Sequence, residues 1–307
     1  MAAAGSAGLA MGPAYALPKR SAEVVVPVKT PSGFPIHLFS KHLQFLGYEE
    51  MAEAMAVAGL NGADLTVRPG GHVLPENVGK DLPAAAKAIR KAGLELTMIT
   101  TRITSAGEEH TEAVLDTAAQ LGIQYYRMGY YKYDPAKPVL ETLDHIRKEM
   151  EGLARLNEKY GLHGAYQNHA GSYFGAEVWD LFEVMRDLDP RWSGCQYDLH
   201  HAMVENGGNW TRSFDLVKPW IRCMVAKDFK WTVADDMPKR KSVPLGMGIV
   251  DFESYFQMLH RDKIAGPISL HIEYPLYPDK NAPVQEKTEA AIRTIRENLN
   301  GLQKYLN

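Results

Sequence analysis

Along this chain, apolar residues recur at three- and four-residue intervals over long stretches. Each stretch closes on small residues and is followed at once by a short run rich in Ile, Val, Leu and Tyr. The first pattern is that of a helix with one buried stripe, and the second is that of a short strand buried on both faces. The junctions read Ala58-Gly59-Leu60, Ala92-Gly93-Leu94, Leu121-Gly122-Ile123 and Tyr160-Gly161-Leu162, placing glycine where a helix ends in a left-handed residue. The spacing predicts strands over 34–39, 60–68, 94–101, 122–129, 162–169, 192–198, 221–227 and 267–274. It predicts helices over 48–58, 81–92, 108–121, 139–160, 177–188, 211–217, 251–261 and 283–306.

Eight strand–helix alternations, with no Gly-rich phosphate fingerprint after the first strand, favour a closed (β/α)8 TIM barrel over an open doubly wound sheet. The barrel domain is expected over 21–307, preceded by a tail over 1–20. Residues 1–16 are nearly all Ala, Gly and Met and close on Ala14-Tyr15-Ala16. They read either as a truncated secretory leader lacking its basic start or as a disordered tail. The first reading implies an exported, periplasmic protein and the second a cytoplasmic one. No window is apolar enough to suggest a membrane span.

Composition narrows the chemistry. Of 307 residues, 34 are Lys or Arg and 37 Asp or Glu, for a formal charge of -3. The longest basic run is Lys239-Arg240-Lys241, so there is no electrostatic footprint for nucleic acid. Two cysteines, Cys195 and Cys223, cannot make a disulfide framework or a cysteine-based zinc site.

In a (β/α)8 barrel the chemistry lies at the C-terminal strand ends, and four of these are unusually polar. They are Tyr166-Gln167-Asn168-His169, Gln196-Tyr197-Asp198-Leu199-His200-His201, Met224-Val225-Ala226-Lys227-Asp228 and Ser269-Leu270-His271-Ile272-Glu273-Tyr274. Strand alternation puts Gln167 with His169, Val225 with Lys227, and His271 with Glu273 on shared faces. If these faces point inward, Asp198 and Glu273 converge on one mouth, where each needs a cation. The candidates are a metal ion, Lys227, or an arginine such as Arg102 or Arg127.

These motifs, with Gly246-Met247-Gly248-Ile249-Val250-Asp251-Phe252, make the chain similar to the xylose-isomerase-like TIM barrels. That superfamily of sugar phosphate isomerases and epimerases also includes ketose 3-epimerases and endonuclease IV. The likeness runs in order over about 34–306. It implies a small-molecule sugar substrate, frequent assembly into dimers or tetramers, and one divalent ion (Mn, Mg, Co or Zn) held at positions corresponding to Gln167, Asp198, Val225 and Glu273. Val225 cannot ligate, and Gln167 offers only a neutral oxygen. Asp198 and Glu273 therefore remain as metal candidates, joined by the Gln167 amide and by His169 or His201; the alternative is a metal-free site in which Lys227 takes the vacated charge position and pairs with Asp198 or Glu273. Gln167 also replaces one of the two carboxylates that family epimerases use as paired bases. One-base chemistry follows: aldose–ketose isomerisation, or elimination and hydration beside a keto group. Glu273 is then the base, and a metal or Lys227 stabilises the enediolate. The resemblance gives His201 a place against substrate oxygens. A sugar-binding barrel without catalysis is the competing class. Endonuclease-like repair is excluded, since no Asp-x-His pair follows Lys227.

Other polar residues complete the expected site. His169 reads as a second acid or base, and His72, beside Gly70-Gly71, as a histidine held over the mouth or in a plain turn. Arg102 and Trp231 read as substrate contacts, while His271 reads as a hydrogen-bonded core residue. Tyr130, Tyr131, Tyr133 and Trp210 are aromatic candidates for stacking on sugar rings or for packing. Segment 229–250 is long for a structureless connection and reads as a lid or partner contact. With no phosphate-cradling loop, an unphosphorylated substrate is expected.

Overall fold

The computed structural model describes residues 34–306; the leader or tail expected over 1–20 lies outside them. Eight parallel strands close into a barrel in chain order: β1 (Ile36–Phe39), β2 (Gly62–Thr66), β3 (Glu95–Thr100), β4 (Tyr125–Arg127), β5 (His163–Gln167), β6 (Ser193–Asp198), β7 (Ile221–Ala226) and, last, β10 (Ile268–Leu270), which pairs with β1 and β7. The (β/α)8 architecture is that of a TIM barrel, as the alternating pattern predicts. Around it run α1 (Tyr48–Ala58), α2 (Val78–Lys91), α3 (Thr111–Gln120), α4 (Val139–Tyr160), α5 (Val178–Met185), α7 (Trp210–Val217), α8 (Phe252–Arg261) and α9 (Val284–Gln303). The glycines read as helix stops behave as such: Gly59 and Gly161 cap α1 and α4 at φ 93° and 68°. On α9 the stripe Ala291, Ile292, Ile295, Leu299 and Leu302 is buried. None of the helices among the described residues is long and apolar enough to cross a membrane.

The barrel interior is partly polar. Asp64 on β2 is fully buried and accepts hydrogen bonds from Ser269 Oγ at 2.6 Å and Thr100 Oγ1 at 2.8 Å. Burial pushes its carboxyl above the ordinary range, and those bonds pull against the shift. Beside it, Met98, Ala165 and Cys223 form a small apolar cluster separate from the main core.

Two elements depart from the sequence expectation. Asp198 ends β6 as expected, but Leu199-His200-His201 starts a short extra helix, α6 (Leu199–Asn206); the Asp198 side chain caps it by accepting from His201 N. Segment 229–250 is largely a β-hairpin, β8 (Asp228–Ala234) against β9 (Met237–Val243). Its turn residues Asp235 and Asp236 both have positive φ, 54° and 57°, the backbone of a two-residue hairpin loop.

The Gly-x-Gly motif anchors this hairpin. Asp228 Oδ2 accepts from Gly246 N and Gly248 N, both at 2.9 Å, while Oδ1 accepts from Phe229 N at 2.8 Å and Val250 N at 3.1 Å. A Cβ at position 248 would lie 2.0 Å from Asp228 Oδ1 and 2.3 Å from the Phe229 carbonyl oxygen. Gly248→Ala is therefore expected to cost about 2–4 kcal/mol. Urea unfolding checks this: the midpoint should fall with an unchanged slope, and an unchanged midpoint would refute the anchoring role.

Candidate active site

The polar strand ends converge on the barrel mouth. Lys227, directly after β7, places Nζ 3.0 Å from Asp198 Oδ2, 3.7 Å from Glu273 Oε1 and 2.6 Å from His201 Nε2. Asp198 is fully buried, Lys227 is 3% exposed, and Glu273 is 43% exposed at the rim. One ammonium thus bridges both acidic groups and joins a dry interior to a wet opening. Beside Glu273 a groove of about 860 Å³ runs along Lys41, His42 and 272–281.

Gln167 is held in one orientation. Its Oε1 accepts from Tyr130 OH at 2.6 Å and from an Arg127 guanidinium N–H at 3.0 Å, so its amide nitrogen donates to Asp198 Oδ2 at 2.7 Å. Burial pushes the Tyr130 hydroxyl up to about 12, which keeps it a donor. Asn168 accepts from Asp198 N at 2.7 Å and donates to Asp198 O at 2.9 Å, fixing the end of β6. The Gln-Asn-His motif therefore divides its work: Gln167 faces the mouth and Asn168 ties two strands together.

The histidines are set by burial. His201 accepts from Lys227, and burial followed by the Lys227 charge pushes its imidazole far down; it is neutral, with the proton on Nδ1. The His169 ring lies 3.9 Å from that of His201, between Tyr130 and Tyr173. Its Nδ1 donates to the Ala170 carbonyl at 2.9 Å, leaving Nε2 as an acceptor at the mouth. Burial also lowers His169. His271 is buried, hydrogen-bonds Ser269 and stacks on Phe39, in keeping with a core residue.

Not every expected site residue reaches the mouth. His72 is tied into its own loop: Nδ1 contacts Thr66 Oγ1 and Ser40 Oγ, and Nε2 contacts the Leu43 carbonyl at 3.3 Å. With both ring nitrogens engaged, it is a turn residue and not a group free to meet a substrate. Tyr131 and Trp210 are buried in the core, and the Tyr133 hydroxyl bonds Asp180. Arg102 is exposed beyond β3. Trp231 is exposed on the hairpin and packs edge-on against Phe229, whose ring meets His200 at 4.4 Å. On the same hairpin face, Arg240 pairs with Trp231 and is near enough for its charge to lower His200 and His201. Sequence reasoning missed His42, on the short turn after β1, which accepts from Ile272 N at 2.9 Å. It also passed over Arg68, whose guanidinium lies over Phe39 at 5.3 Å.

The donor set does not fit a divalent ion. Lys227 occupies the space between Asp198 and Glu273, and Gln167 turns an N–H toward Asp198. Val225 is buried and apolar. Among the described residues no group of three or more His, Cys, Asp and Glu could hold a metal.

The buried imidazoles make stability acid-sensitive. Burial lowers His163 to about 4 and His200 to about 3, from an unfolded value near 6.5. Below about 6.5 the unfolded chain binds protons that the folded one refuses, so stability falls with pH. Each such histidine contributes a slope of about 1.4 kcal/mol per pH unit until its folded value is reached. Asp180, pushed up to about 6 by burial, and buried Asp64, also raised, act in the opposite sense, but two carboxyls do not offset the set of lowered imidazoles, which also includes His42 at about 4, His201 and His271. Chemical denaturation between pH 7 and 5 should show a declining unfolding free energy; a flat profile would contradict the neutral assignment.

A buried cation lies between two carboxylates at the mouth of this barrel. The chain belongs to the xylose isomerase-like TIM barrel family, whose pattern matches residues 52–298. Among solved structures, it is similar to the D-allulose 3-epimerase of Methylomonas sp. in complex with D-allulose, at 12% identity and a TM-score of 0.65 over 90% of this chain and 98% of that one. It is also similar to the probable 3-DHS dehydratase AsbF of Bacillus anthracis, at 15% identity and a TM-score of 0.60 over 85% and 98%. A third likeness is to the IOLI protein with a bound zinc atom, at 16% identity and a TM-score of 0.64 over 89% and 99%. No curated protein matches the chain.

Proposed function

We propose that the chain is an isomerase- or lyase-type enzyme that moves a proton beside the carbonyl of a keto-sugar, and that Lys227 does the electrostatic work a divalent ion does in metal-bearing relatives. The observation that carries this reading is the Lys227 ammonium bridging buried Asp198 and rim-exposed Glu273. Glu273 takes the proton from the carbon next to the carbonyl, and the carbonyl oxygen becomes an enolate. A Lys227 N–H, held only loosely by Glu273 at 3.7 Å, donates to that oxygen. Asp198 and neutral His201 occupy the other Lys227 donors and fix its direction. The proton then returns at the adjacent carbon, giving isomerisation, or a group departs from the β carbon, giving elimination. His169, with Nε2 free to accept, serves as the second proton carrier. Symmetric epimerisation is disfavoured because Gln167, facing Asp198 through its amide, has no proton to exchange.

The chemistry is tested by incubating the protein with a panel of keto-sugars in D2O and following carbon-bound deuterium by NMR. Exchange with at least one sugar supports the reading. Sugar binding without any exchange would instead identify a sugar-binding barrel.

A further inference from the structure

Two guanidinium groups at the mouth of the barrel lack the close carboxylate contacts that Lys227 has. Lys227 is matched by Asp198 and Glu273. Arg127, 5% exposed at the end of β4, is not matched in this way: its partners are Gln167 Oε1 at 3.0 Å and Tyr130 OH at 3.4 Å, both neutral. Its buried Nε has no hydrogen-bond partner among the described residues. A carboxylate at position 167 would have neutralised this guanidinium; the amide leaves the charge in place.

Arg68 adds a second cation at the same spot. The Arg68 and Arg127 guanidinium carbons lie 5.3 and 5.5 Å from the Phe39 ring centre. His271 stacks on the same ring at 4.5 Å. Neither forms an ion pair with a carboxylate among the described residues. Asp64, the nearest carboxyl, is hydrogen-bonded by Ser269 and Thr100 and acts on Arg68 and Arg127 through its charge without direct contact, while burial favours its neutral form. Arg68 is lowered by desolvation first and then by Arg127 and Arg102, as expected of like charges crowded together.

We propose that Arg68 and Arg127, laid on Phe39, form a subsite for an anionic group of the substrate, so that the keto-sugar acted on carries a carboxylate or a phosphate. The inference rests on the function proposed above and supplies its substrate class. The buried Arg127 and half-buried Arg68 guanidinium groups present forked donors that match either anion. Binding an anion also relieves the repulsion between them. Arg102 at the β3 rim adds attraction on approach. The absence of a glycine-rich phosphate loop does not weigh against this subsite, since side-chain forks replace the main-chain cradle.

The experiment is calorimetric titration of the unmodified protein with D-glucitol, D-gluconate and D-glucitol 6-phosphate. None of them has a carbonyl, so binding is read apart from turnover. At least one of the two anions should bind about tenfold or more tightly than glucitol, and the better of the two tells carboxylate from phosphate. Arg68→Gln should abolish that preference while leaving glucitol affinity unchanged. Arg68→Lys, which keeps the charge but not the fork, should fall between and guards against a misfolded first variant. Equal affinity for all three ligands, or a preference that survives in both variants, overturns the subsite. Failure of the proposed chemistry would look different: an intact anion preference with no deuterium exchange into any keto-acid or keto-sugar phosphate.

Discussion

Glu273→Gln is expected to lower the rate of solvent deuterium exchange into the substrate by about 10²–10⁴-fold, the usual contribution of a positioned general base. The amide keeps the size of the side chain but cannot accept the substrate proton. Because Glu273 is 43% exposed and its contact with Lys227 is loose at 3.7 Å, folding should be nearly indifferent to the change, within about 0.5 kcal/mol. Ligand affinity should survive, since substrate oxygens and any anionic group are held by other residues. Loss of rate together with loss of fold would assign Glu273 a structural role. Unchanged exchange in a well-folded variant would remove it from the chemistry and return attention to His169.

Lys227→Met should have the largest effect on the protein as a whole. Asp198 is fully buried, and removing its cation leaves that carboxylate, among the described residues, with the Gln167 amide, the His201 main-chain N–H and the His201 ring at 3.7 Å. Breaking a buried pair from one side typically costs about 3–5 kcal/mol, readable as a lower urea midpoint, and exchange activity should vanish with it. The variant also opens the space between two carboxylates. Millimolar Mn2+ should therefore raise the midpoint of Lys227→Met while leaving that of the parent unchanged. Tight uptake of one equivalent by the parent would contradict the lysine-for-metal reading.

The barrel was legible because its grammar repeats: an amphipathic helix, a glycine stop such as Gly59 or Gly161, then a short apolar strand. The convergence of Asp198, Lys227 and Glu273 was legible for a related reason, since side-chain alternation fixes which residues near a strand end face inward. The hairpin was not. Its outgoing strand, Met237–Val243, is mostly exposed and carries Lys239, Arg240 and Lys241 in a row, and its turn uses Asp235-Asp236 where a glycine would have announced it. Likewise, α6 escaped notice because its cap, Asp198, reads equally well as the end of a strand. The cluster of Phe39, Arg68 and Arg127 comes from the end of β1, the bend after β2 and the end of β4. No local pattern joins them, and only closure of the barrel brings them together. His72 misled in the opposite way: adjacent glycines suggested a poised side chain, while Thr66, Ser40 and Leu43 satisfy its ring nitrogens locally.

The four main-chain amides gathered by Asp228 bear on where this protein tolerates redesign. Lys227 is the residue immediately before that knot, so its backbone is immobilised during folding rather than at the moment of reaction. The outer end of the hairpin, at Asp235-Asp236, is shielded from the reacting groups by the same knot. Loop extensions or grafted tags at that tip should leave turnover intact, whereas lengthening the chain by a single residue between 227 and 228 would rotate the ammonium away from both acids.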